Sequence, residues 1–256
     1  MSDDVACPAS LRSLAEWSGA SSNADLRKYC TPHTLRRFLV AHHGDLEKAK
    51  SGLEESSKWH ATAIDAAFTC SLCAANSGAH CFLYLGRDAR GNSLIYGCPA
   101  RASEGGEVPH TIAHCANALE KTFAGEDADA EPRRWVWIVD FQSYGFIHSL
   151  QARLGLAFGL LFRDRFPERL RSIILVNPPA LFKVLISALG AIADARTMAK
   201  LQTVVALTPK DACDELRSRF GIDDAEVLSW LSTAFSTPAV PGTLPPVPEA
   251  ARALQV

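Results

Sequence analysis

The stretch "FRDRFPERLRSIILVNPPALF" (162–182) constrains the fold more than any other. Its apolar run "IILV" (173–176) follows Pro167-Glu168-Arg169 by three residues and stops at Asn177-Pro178-Pro179. Apolar residues at every position predict a strand buried on both faces, the habit of parallel strands covered by helices. The prolines end it, since neither has an amide hydrogen to give to a ladder. Upstream, "RRWVWIVDF" reads as a second such strand, and "SLQARLGLAFGLLFRDRF" between them reads as a helix. Strand, helix and strand in this order predict an α/β fold with a mixed, mostly parallel sheet.

The flanks extend that plan. "HCFLYLG" and "NSLIYGC" surround "RDARG", whose Asp88 and Gly91 are turn residues, and predict a β-hairpin. A helix is expected over 109–123, and "PALFKVLISALGAIAD" and "RTMAKLQTV" are both expected to be helical. Near the start, "TPHTLRRFLVAHHG" has Thr31 to cap, Pro32 at the first helical position and Gly44 to stop the helix. Its apolar stripe is Leu35, Phe38 and Leu39, with His42 one turn on. Asp45 caps a second helix whose inner face holds Leu46, Ala49 and Leu53, and a third is expected around 11–17. The expected organisation is an N-terminal helical unit (8–63), an α/β domain (76–236) and an extended or disordered proline-rich tail (237–256).

Composition narrows the class. Charged residues at 21 % and apolar ones at 48 % suit a globular chain, and a net charge of −2 offers no basic footprint for nucleic acid. Asp3 and Asp4 stand where a secretory signal would need basic and then apolar residues, so a cytoplasmic protein is expected. The longest apolar runs, 154–162 and 184–193, are about half the span of a bilayer, so membrane contact is expected to be peripheral. The eight cysteines then read as reduced thiols, with no disulfide framework.

Three segments offer candidate sites. In "WIVDFQSYG", Ser143 follows a strand, with Asp140 and His148 nearby, but Phe141 occupies the first glycine position of a G-x-S-x-G elbow; an ester hydrolase is the alternative and a non-enzyme the expectation. Cys70 and Cys73 form C-x-x-C, and His80, Cys81, His110 and His114 follow. The ligand types suit zinc, yet a predicted hairpin separates the pairs, so neither metal nor other cofactor is expected. Finally, "LFKVLISALGAIAD" is apolar nearly all round, with Lys183 and Ser187 as its clearly polar residues. Such a helix is buried, covers an apolar ligand cavity or meets a membrane. Thr197 and Lys200, three apart beyond it, suit an anionic group.

These segments together resemble the CRAL-TRIO lipid-binding domain. "TLRRFLVAHHGDLEKA" is similar to the family's N-terminal helical motif, "GRDARGNSLIY" to its D-x-x-G-R-P-V strand opening and "WIVDF" to its apolar strand ending in Asp. "RFPERLRSIILVNPPALF" is similar to its Y-P-E-R-L…I-x-x-I-N-A-P-x-x-F signature. The resemblance covers about 31–206 and implies a sheet flooring an apolar lipid pocket beneath a gate helix. It implies headgroup contacts from Glu168, Thr197, Lys200 and His42, and a gate face of Phe182, Leu185, Ile186, Leu189 and Ile192. The partners it implies are a phospholipid such as phosphatidylinositol, or another hydrophobic small molecule, and transiently a membrane surface. The other alternative is a protein-interaction module that keeps the fold without the ligand.

Overall fold

The computed structural model describes residues 7–103, 107–126, 131–145, 148, 152–180, 182 and 198–248. Four helices come first: α1 (Pro8–Ala20), α2 (Ala24–Tyr29), α3 (Pro32–Ala41) and α4 (Leu46–Ala63). Asn23, Thr31 and Asp45 cap the last three by accepting backbone N–H groups. Between α3 and α4 the chain turns through His43 (φ 53°) and Gly44 (φ 83°), and left-handed backbone at two successive residues folds the helices into a hairpin. Their inner faces, Leu35, Phe38, Leu39, Ala49 and Leu53, close a small core with Leu14 and Leu26.

After the short α5 (Ser71–Ala75), strands β1 (Phe82–Arg87) and β2 (Ser93–Gly97) form the expected hairpin. The buried Asp88 organises its turn, taking the amides of Arg90 and Asn92 on Oδ1 and the Asn92 side chain on Oδ2. Next come α6 (Val108–Phe123), β3 (Trp135–Asp140), α7 (Ala152–Asp164), β4 (Leu170–Val176), β5 (Leu201–Val204), α8 (Pro209–Phe220) and α9 (Ala225–Ser236). The sheet order is β1-β2-β3-β4-β5, antiparallel at the first pair and parallel thereafter.

Alternation along the strands gives the sheet two apolar faces. One, with Leu94, Tyr96, Ile138, Ile174 and Val176, packs on Leu216, Val227 and Leu231 of α8 and α9. The other, with Ile95, Trp135 and Leu170, packs on Leu119 of α6 and on Phe158 and Phe162 of α7. Trp137 and Ile173 on that second face also touch a further apolar group of Val139, Phe141, Leu175 and Phe182.

One expectation is corrected. Residues 201–204 were expected to continue a helix and instead form β5, paired from Ile173↔Leu201 to Val176↔Val204. Their helical propensity is outweighed by the open edge of β4, whose amides and carbonyls gain partners only if a strand lies there. The two capped helices α8 and α9 were not expected as a pair, and they complete one face of the sheet. The helix expected over "PALFKVLISALGAIAD" (179–194) lies outside the described residues, apart from Pro179, Ala180 and Phe182.

The described part of the tail, residues 237–248, is extended and attached. Gly78 and Gly242 form a β-bridge, and the Gly242 amide donates to the Arg101 carbonyl. Arg101, fully buried, donates to the carbonyls of Ala234, Thr237 and Thr243. A Cβ on Gly78 would sit 2.6 Å from the Gly242 carbonyl carbon. Gly78→Ala is therefore expected to cost about 1–3 kcal/mol and to speed limited proteolysis within 237–248. An unchanged cleavage pattern would mean that Arg101 alone holds the tail.

Candidate functional site

The corner between α7 and β4 is held from two sides. Arg37 of α3, buried, donates from Nη1 to the Pro167 carbonyl (3.0 Å) and from Nη2 to Thr34 Oγ1 (3.3 Å). Burial, then the neighbouring Arg169, brings its pKa down to about 10, so it stays charged at neutral pH. On the other side Arg169 grips Glu126 at two points, 2.6 and 2.5 Å, donates to the Arg133 carbonyl at 2.8 Å and lies over the Phe123 ring at 4.1 Å.

Glu168, between these anchors, adopts left-handed backbone (φ 57°), unfavourable for a residue with a Cβ by about 1–2 kcal/mol. The two locked neighbours hold it there and turn its carboxylate toward Lys200, with Nζ 3.7 Å from Oε2 and both side chains about one-fifth exposed. Topology brings the pair together: Glu168 precedes β4, Lys200 precedes β5, and parallel pairing sets the starts of the two strands side by side. The backbone states the same relation, with the Ile173 amide donating to the Lys200 carbonyl at 2.9 Å.

Opposite stands the α3–α4 hairpin, and between lies a cleft of about 450 Å³. Its polar lining joins His42, Lys48, Ser51 and Glu55 from the hairpin to Arg163, Asp164, Arg165, Glu168 and Lys200, with Arg163 donating to Asp164. Phe38, Phe162, Phe166 and Leu170 form the apolar part. Burial lowers the His42 pKa, which favours the neutral imidazole near pH 7. Gly52 lets this ring pack closely, since a Cβ there would lie 3.0 Å from His42 Nε2.

Three of the four expected headgroup residues, His42, Glu168 and Lys200, thus share one cleft. Thr197 lies outside the described residues, as do the gate positions Leu185, Ile186, Leu189 and Ile192. Phe182 is described, its ring 4.4 Å from that of Phe141. Sequence reasoning missed Lys48, Arg163 and Arg165. A signal existed for the first: Lys48, Ser51, Gly52 and Glu55 repeat at i, i+3, i+4 and i+7, a polar stripe on α4 beside its apolar one.

The other two candidates look different once folded. Ser143 has left-handed backbone (φ 56°), but its would-be partners are engaged elsewhere. Asp140 takes the Tyr96 hydroxyl (2.8 Å) and the Gln142 amide (2.9 Å), while His148 Nδ1 accepts the Gly145 amide (2.9 Å). Cys70, Cys73, His80 and His114, in contrast, are drawn together. The hairpin that separates them in sequence does not separate them in space.

Comparison with known proteins agrees with this architecture. A family model described as the CRAL/TRIO domain matches residues 78–226. The crystal structure of Sfh5 has a TM-score of 0.59 to this chain, covering 85 % of it and 80 % of its own chain at 10 % identity, a likeness of fold. None of the curated proteins matches.

Proposed function

The chain belongs to the CRAL/TRIO family, whose members are carriers of lipids and other hydrophobic small molecules, and on that premise we propose that it carries a phospholipid, phosphatidylinositol foremost, between membrane surfaces. The observation that supports this reading is continuity. The polar cleft around Glu168 and Lys200 is floored by Phe162 and Leu170, and from there buried and partly buried apolar side chains in contact continue along one sheet face through Trp137 and Ile173 to Val139, Phe141, Leu175 and Phe182.

An amphiphile fits such a track. Burying acyl chains gains about 0.8 kcal/mol per methylene, so the apolar surface supplies affinity and the cleft supplies selection. Lys200 suits a phosphate, and Lys48, Arg163 and Arg165 line the same cleft, the first paired with Asp45 and the second with Asp164. Glu168, Glu55 and Ser51 suit the hydroxyls of an inositol ring, which donate to carboxylates. Exchange proceeds at a membrane surface, because passing an acyl chain through water forfeits what burial gained. Among the described residues no helix is long and apolar enough to cross a membrane, and carriage requires none. The segment that holds Leu185, Ile186, Leu189 and Ile192 acts in this reading as the gate.

Organic extraction and native mass spectrometry of the purified chain are expected to find about one phospholipid per protein, since one continuous track takes one amphiphile. Labelled phosphatidylinositol should move between donor and acceptor vesicles when the protein is added. A chain that brings no lipid through purification, and takes none from vesicles, overturns the proposal.

A further inference from the structure

We infer that Cys70, Cys73, His80 and His114 form a structural Zn²⁺ site that staples the long connection between α4 and β1 to α6. The inference is independent of what occupies the cleft. One ligand atom from each of the four residues lies within 4.8 Å of all the others. A tetrahedral zinc with Zn–S near 2.3 Å and Zn–N near 2.0 Å needs ligand atoms roughly 3.3–3.8 Å apart. Cys73 Sγ and His114 Nδ1 already stand at 3.7 Å, so closure requires shifts of about 1 Å or less.

The surroundings orient the ligands as a metal requires. His114 Nε2 lies 3.3 Å from the Phe82 carbonyl, which can only accept, so that nitrogen holds the proton and Nδ1 turns its lone pair toward Cys73. His80 Nδ1 is engaged with Thr111 Oγ1 at 3.3 Å, which leaves Nε2 as its ligand atom. The Cys73 amide donates to Cys70 Sγ at 3.5 Å, which fixes the two sulfurs of the C-x-x-C turn relative to each other.

Metal entry would expel both thiol protons, with the cation replacing them as neutralising charge. Four protein ligands of S₂N₂ type leave no open position, which suits structural zinc rather than a catalytic ion.

Position supplies the purpose. Between α4 and β1 run eighteen residues, 64–81, whose one helix is the five-residue α5. Such a segment lacks a core of its own, and the cross-link would tie it to the second turn of α6. Neighbouring candidates are excluded by direction. His110 is exposed, and Cys81 faces the opposite side of the sheet among Leu94, Tyr96 and Cys98.

The full chain, purified with reductant from zinc-replete medium, is expected to retain about one zinc per molecule by elemental analysis. The stripped, reduced chain should take up Co²⁺ with the intense visible bands and thiolate charge transfer of tetrahedral coordination. Cys73→Ser and His114→Gln should each weaken Co²⁺ binding by more than roughly 100-fold, whereas His110→Gln should leave it unchanged. If either ligand variant fails to fold, the Co²⁺ spectrum of the wild-type chain still decides. No tetrahedral thiolate spectrum, or equal uptake by wild type and a folded Cys73→Ser variant, overturns the site.

Discussion

Glu126→Ala is expected to destabilise the protein by about 3–5 kcal/mol, the range for removing one partner of a buried ion pair. Arg169 would keep its place over Phe123 and its bond to the Arg133 carbonyl, but its charge would lose both carboxylate oxygens. Glu126→Gln keeps the shape and one acceptor and should fall between. Burial tends to raise the Glu126 pKa, but the hydrogen bonds and charge of Arg169 prevail and hold it below the ordinary value. The folded pKa then lies below the unfolded one, so the stabilisation is complete above the unfolded value and is lost as pH falls through the folded one. Urea unfolding of wild type and both variants at pH 7, 5 and 3 checks this. The gap between wild type and Glu126→Gln should shrink toward pH 3, and equal stabilities at pH 7 would show that the pair contributes nothing.

Lys200→Ala is expected to weaken phosphatidylinositol binding about 10- to 100-fold, since a hydrogen bond to a charged group contributes about 1.5–3 kcal/mol. Phosphatidylcholine should lose much less, because its choline places a cation beside the phosphate. The substitution spares the fold, as the Lys200 bond to the Ile173 amide is made by the backbone. It also leaves Glu168 facing the phosphate without its lysine, so adding Glu168→Gln should recover part of the loss. Competition between the two lipids in vesicle uptake measures both. Equal losses for both lipids would show that no headgroup phosphate sits at Lys200.

Much of the scaffold was legible because its signals are local. Thr31 and Asp45 cap where their sequence neighbours require, and Asp88 and Gly91 turn the hairpin through their own side chain and backbone. The corner at 167–179 was legible too: Pro167 follows the end of α7, and Asn177 ends β4 in left-handed backbone (φ 51°) while its side chain accepts the Ala206 amide. What stayed hidden depends on partners distant in the chain. Leu201 to Val204 have a strand's identity only beside β4, and Arg163 gains meaning only from the hairpin facing it. The four thiol and imidazole ligands follow the same logic. C-x-x-C was visible, but its second pair comes from the approach to a strand and the side of a helix, a placement that spacing rules do not encode.

The cleft has one wall from the α3–α4 hairpin and the other from the starts of β4 and β5. A molecule seated there grips both parts of the protein, so its binding free energy adds to the energy that keeps them docked, and the docking adds to its affinity. Melting temperature therefore reads occupancy. If the proposed function holds, a membrane surface that parts the hairpin from the corner would by the same reciprocity weaken the hold on the headgroup, so that release of cargo and parting of the two walls would become one event.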